Sequence, residues 1–101
     1  MRIRARVDAN QAEIVTVLRL CGVAVQSLSA IGNGCPDLLV SAYGVNGLLE
    51  IKDPAKPPSE RRLTPSEAVW HARWQGPVAV AHSFSEAMDA IRAWAKEAGK
   101  L

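Results

Sequence analysis

Residues 36–53 read PDLLVSAYGVNGLLEIKD, and the alternation of polar and apolar residues in this stretch decides the fold. DLLVSA (37–42) and GLLEIK (47–52) have the length and aliphatic content of strands. The segment between them, Tyr43–Asn46, is short and carries Gly44, which suits a hairpin. Side chains alternate faces along a strand, so Asp37, Leu39 and Ser41 point one way and Leu38, Val40 and Ala42 the other. Glu50 and Lys52 likewise share a face, opposite to Leu49 and Ile51. Pairing Ala42 with Gly47 sets Leu39 across from Glu50 and Asp37 across from Lys52. In that register three ionisable groups occupy one face and the aliphatic set the other. A slip by one residue would turn the polar set toward the core.

The flanking sequence supplies the remaining elements. A first helix is expected from Asp8, a good N-cap, with Gln11 completing a capping-box pattern. Ile14, Val17, Leu18 and Cys21 recur at helical spacing, and Gly22 marks the stop. VAVQSL (23–28) reads as a strand, and IGNGCP (31–36) as a loop that delivers Asp37. Three prolines in DPAKPPS (53–59) exclude a helix or a central strand, so a proline-rich loop covers roughly 53–63. Thr64, Pro65 and Glu67 then open a second helix that should reach about Gln75, where Gly76 and Pro77 stop it. VAVA (78–81) is a short apolar strand. Ser83 and Glu86 form another capping box, ahead of a last helix striped by Phe84, Ala87, Met88, Ile91 and Trp94. The order α-β-β-β-α-β-α predicts one α/β domain over 1–101, a mixed sheet with helices on both faces.

The totals are permissive. A length of 101 residues suits a single domain, and 49% hydrophobic residues allow a modest core without metal or disulfide staples. Twelve Lys and Arg against ten Asp and Glu leave a formal charge of +2, too mild to prove a nucleic-acid partner. Basic residues do cluster: Arg2, Arg4 and Arg6 form an arm within residues 1–7, and Lys56, Arg61 and Arg62 flank the proline-rich loop. Each can contact phosphate or simply favour solubility. Cys21 and Cys35 lack metal-ligand spacing, which points to free thiols in a reducing cytosol. Apolar runs fall far short of the ~20 residues of a membrane span, so a cytoplasmic protein without a membrane partner is expected.

Two carboxylates on one face repel unless something positive lies between them. Lys52 or a divalent cation can supply that charge. Mg²⁺ takes few protein ligands and keeps several waters; Asp37, Glu50 and a backbone carbonyl such as that of Ile51 would suit it. The alternative is an ordinary surface face with one Asp37–Lys52 salt bridge.

At these residues the sequence resembles a known pattern. GCPDLLV followed by GLLEIKD matches the PD-(D/E)XK nuclease signature, with Pro36-Asp37 and then Glu50-Ile51-Lys52. Asn10 to Glu13, Lys52-Asp53 ahead of a proline-rich linker, and LTPSE (63–67) extend the likeness to the small, stand-alone VRR-NUC nucleases, many of them carried by phages. It covers roughly residues 8–92. The resemblance implies a restriction-endonuclease-like fold and phosphodiester hydrolysis with Mg²⁺ or Mn²⁺ in a bacterial or phage-infected cell. It makes Asp37 and Glu50 metal ligands and Lys52 the catalytic lysine. Relatives often carry an acidic residue on the first helix that reaches the metal, and Glu13 is the candidate once Asp8 is used as a cap. Where the family commonly has Gln on the second helix, this chain has Glu67, whose capping-box duty accounts for it without catalysis. Likeness to Holliday-junction resolvases further implies branched DNA as substrate and a homodimer, since one small site cuts one strand. The rival from another class is an inactive DNA-binding or assembly module of the same fold. A third reading is a dimeric structural protein whose Trp-bearing helix is the interface.

Trp70 and Trp74, one helical turn apart, suit core or dimer packing better than stacking on an unpaired base, and Trp94 reads as packing too. His71, His82 and Cys35 lack partners at ligand or nucleophile spacing and read as ordinary side chains.

Overall fold

The computed structural model describes residues 7–101 and realises the expected element order. Helix α1 spans Gln11–Leu20, β1 Ala24–Ser27, β2 Leu38–Ala42, β3 Val45–Ile51, α2 Pro65–Arg73, β4 Val78–Ala81 and α3 Phe84–Glu97; a 3₁₀ turn, Pro58–Glu60, lies in the proline-rich loop. The sheet has four strands in the order β1-β2-β3-β4. Its first three are antiparallel neighbours, and β4 runs parallel to β3. Parallel neighbours need a crossover, and α2 with its flanking loops supplies it. The sheet is therefore mixed, and the protein is α/β. Arg2, Arg4 and Arg6, the proposed basic arm, lie outside the described residues.

The core forms on one face: α1 and α3 both pack there, not on opposite faces as the element order suggested. Leu38 and Val40 from β2 and Leu49 and Ile51 from β3 meet Ile14 and Leu18 of α1 and Ala87, Met88 and Ile91 of α3. The period-2 apolar positions of the strands thus pack against the helical stripes of α1 and α3. Trp94 lies across β3 at Gly47, where a Cβ would come within 2.2 Å of the indole. That contact explains a glycine at an inner strand position.

The hairpin register differs from the expected one by two residues. Ala42 pairs with Val45, Leu39 with Leu48 and Leu38 with Leu49. The cause is the turn: Tyr43 and Gly44 alone make it, with φ of 54° and 75°. Two consecutive positive φ values mark the tight turn whose twist matches that of the strands, and it shortens the four-residue loop read from sequence. A shift of two preserves parity, so every side chain stays on the expected face. The neighbours do change: one step beyond Leu38 and Leu49, Asp37 comes opposite Glu50, and Lys52 lies past the pair.

The helix starts also differ. Asp8 does not cap α1; Asn10 occupies the N-cap position without a side-chain cap bond. The Asp8 carboxylate instead accepts from Lys56 Nζ at 2.6 Å, and Gln11 donates to Ser29 Oγ at 3.2 Å. The Thr64–Glu67 capping box of α2 is complete. Only half of the Ser83–Glu86 box forms, because the Glu86 carboxylate accepts from the His82 N–H and meets His82 Nδ1 at 2.8 Å. Helix α2 ends at Arg73 and has no buried residue, so Trp70 and Trp74 are not core residues.

Candidate active site

The polar face of the hairpin opens into a cleft of about 520 Å³. Its walls are the glycine-bearing loop 32–35, the proline-rich loop and the first turn of α2; Asp37, Glu50 and Lys52 line it together. Three segments far apart in sequence therefore converge on the strand end that carries the carboxylates.

Asp37 is fixed from two sides. Its carbonyl accepts from the Leu28 N–H at 2.7 Å, continuing the β1–β2 ladder. Its carboxylate accepts from the Ile51 N–H at 2.7 Å. The β2–β3 ladder has ended at Leu38 and Leu49, so the side chain takes over where the next backbone acceptor would have been. N–H and C=O of one strand residue project toward the same edge. The Ile51 carbonyl is thereby turned toward the Asp37 side.

Glu50 is 3% exposed, and its Oε1 is buried with no hydrogen-bond partner. Burial, reinforced by the facing Asp37 carboxylate, pushes its pKa up to about 9. Burial also raises Asp37, although the hydrogen bond from Ile51 opposes the shift. Lys52 lies 3.6 Å from Glu50 Oε2 and 2.8 Å from Glu67 Oε1. Burial alone would lower its pKa, but the bond to Glu67 and the charge of Glu50 outweigh that and raise it, so the ammonium stays charged. The simple Asp37–Lys52 salt bridge is absent from the described ion pairs, and Glu67 is a structural partner of Lys52 as well as a cap.

Asn10 adds a tether that sequence reasoning missed. Its amide donates to the carbonyls of Lys52 and His82, both at 3.1 Å, pinning the end of β3 to α1 and β4. An Asn ahead of a helix reads only as a cap, so no local signal points to it.

The other candidates divide. Glu13 is on the exposed face of α1 and does not line the cleft; Asp8, displaced from its cap role, lines it instead. Lys56 and Arg62 line the cleft, with Lys56 engaged by Asp8. Arg61 is outside that lining, and its Nε is buried without a partner. Cys35 lines the cleft, its thiol pKa raised by burial and then by Glu50 and Asp37, which suits an inert thiol rather than a nucleophile. Burial likewise lowers His71.

The donor set suits a hard divalent cation. Two carboxylates face each other, one with a buried orphan oxygen, beside a backbone carbonyl turned to the same edge. Among the described residues no three His, Cys, Asp or Glu side chains form a ready-made cage. Mg²⁺ does not ask for one, because it binds through one or two carboxylates and keeps its waters. The five carboxylates that line the cleft outnumber its three basic groups, an excess of negative charge that a cation would offset.

No protein-family model, curated protein or solved structure matches this chain. Among the described residues no helix is long and apolar enough to cross a membrane.

Proposed function

We propose that this protein is a Mg²⁺- or Mn²⁺-dependent endodeoxyribonuclease of the PD-(D/E)XK type, with a restriction-endonuclease-like fold. The observation that carries the reading is the buried, unpartnered carboxylate oxygen of Glu50 facing Asp37 in a cleft with Lys52. Burying two facing carboxyl groups costs the fold stability, and a cation that binds both in their ionised form would offset that cost.

Asp37, Glu50 and the Ile51 carbonyl would hold the ion. The cation supplies Lewis acidity toward a phosphate oxygen and lowers the pKa of water. Asp37 is oriented by the Ile51 N–H, so its free electron pairs stay directed into the cleft. Lys52, held between Glu50 and Glu67, orients the attacking water and offsets charge on the pentavalent phosphorus. Water gives a proton to solvent as it adds to phosphorus, one P–O ester bond breaks, and the leaving oxygen takes a proton from solvent. Arg62 at the rim steadies a flanking phosphate. Branched DNA is the proposed substrate class, and paired cuts across a branch require two copies of the chain.

The test is incubation with four-way junction, flap and linear duplex DNA, with and without Mg²⁺ or Mn²⁺. Metal-dependent cleavage that is strongest on a branched substrate and abolished in Asp37→Asn supports the reading. DNA retention with no cleavage under any metal would instead mark an inactive binding module.

A further inference from the structure

The two indoles of α2 are not used by the chemistry above. Trp70 and Trp74 stack on each other, with ring centroids 4.8 Å apart and planes 19° from parallel. Trp74 is 46% exposed and Val69 56%, so this face of the helix is open. A groove of about 500 Å³ runs along it, lined by Asn33, Ser66, Val69, Trp70, Arg73 and Trp74. Asn33 and Ser66 also line the carboxylate cleft, so groove and cleft adjoin.

We infer that this groove receives unpaired nucleobases of the strand whose phosphate enters the cleft, which makes a junction between duplex and single strand the substrate feature recognised. The polymer's identity rests on the nuclease reading; the stacking surface does not. Three observations favour a base over a second protein chain. Planar indole faces beside a guanidinium are the chemistry that stacks on any base. Asn33 is exposed and lines both groove and cleft, so an amide that can pair with a base edge belongs to their shared wall. A lasting homodimer uses about 20–30 residues a side, more than the nine-residue α2 can present. Distance agrees as well: Trp74, which caps α2, lies seven positions after Glu67, about 10 Å along the axis, so stacking falls within a few nucleotides of the carboxylates.

Binding is best read apart from cleavage. In the Asp37→Asn background at low salt, indole fluorescence is titrated with blunt duplex and with the same duplex bearing a single-stranded thymidine tail. The tailed DNA should quench the emission and bind at least about tenfold more tightly. Adding Trp74→Ala should remove most of that advantage, a loss of roughly 10- to 100-fold, while Trp74→Phe keeps most of it. Circular dichroism checks folding, which so exposed a side chain should not disturb. Equal binding of blunt and tailed DNA overturns the inference. So does a Trp74→Ala protein that keeps the tail preference, including one that merely shifts from dimer to monomer in sedimentation, which would assign the face to a second copy. Wild-type protein that prefers tails but never cuts sinks the hydrolase reading alone; cutting without tail preference sinks only the stacking.

Discussion

At Glu50 a carboxylate lies 3% exposed with one oxygen facing no donor, beside a second carboxylate. Such a pair is unfavourable without a cation, because burial and the facing Asp37 force a proton onto Glu50 at a pH where a free carboxyl would be ionised. Neutralising one member should therefore stabilise the metal-free protein. Asp37→Asn keeps an oxygen for the Ile51 N–H and removes the charge, so its thermal midpoint at pH 8 without divalent cations should exceed wild type by a few degrees, about 1 kcal/mol. A lower midpoint would mean that the carboxylates are not in conflict. Lys52 is the opposite case. Its side chain is buried between Glu50 and Glu67. Lys52→Ala strands both carboxylates and should cost about 3 kcal/mol or more in denaturant unfolding. A loss under 1 kcal/mol would place the ammonium in solvent.

Among the elements, the β2–β3 hairpin and α2 show where sequence reading succeeds and where it stops. Face assignment was legible, since it depends only on the parity of Leu38, Val40, Leu49 and Ile51. Register was not, because Tyr43 is a poor marker for a position with φ of 54°. Placing Asn there, the residue this turn favours, should stabilise the protein by about 1 kcal/mol in chemical denaturation. No gain from Tyr43→Asn would mean that the turn is not the two-residue one. Helix α2 was legible through its capping box but not through packing, because its stability comes from contacts outside its own stripe. At Gly34 a Cβ would lie 2.4 Å from the Ser66 carbonyl oxygen, so loop and helix meet backbone to backbone. Glu67 ties the helix to Lys52. Burial acts to raise the Glu67 pKa, but the hydrogen bonds from Lys52 and Thr64 prevail and lower it. A depressed carboxyl stabilises the fold above its unfolded pKa, and that contribution is lost as pH falls through the folded value. Amide exchange in residues 65–73, corrected for intrinsic pH dependence, should therefore accelerate selectively as pH falls below the ordinary glutamate range. Uniform protection of α2 down to full acid unfolding would contradict the Lys52–Glu67 tie.

On the scale of the whole molecule, α1 and α3 cover one face of the sheet, and Asp37 and Glu50 line a cleft on the other. The element order and the core were readable because periodicity is local. The cleft was only partly readable, because it is assembled from segments that no spacing connects. Asp37, Glu50 and Lys52 come together as their alternation requires. Glu13 does not join them, while Asp8 and Asn10 approach through tertiary contacts with Lys56 and Lys52. The most direct test of the cation site is a calorimetric titration of the purified protein with Mn²⁺, repeated on Asp37→Asn and Glu50→Gln. Wild type should bind saturably, and each variant should lose that binding. Absence of binding to the wild type, or affinity unchanged in both variants, would contradict a metal held jointly by Asp37 and Glu50.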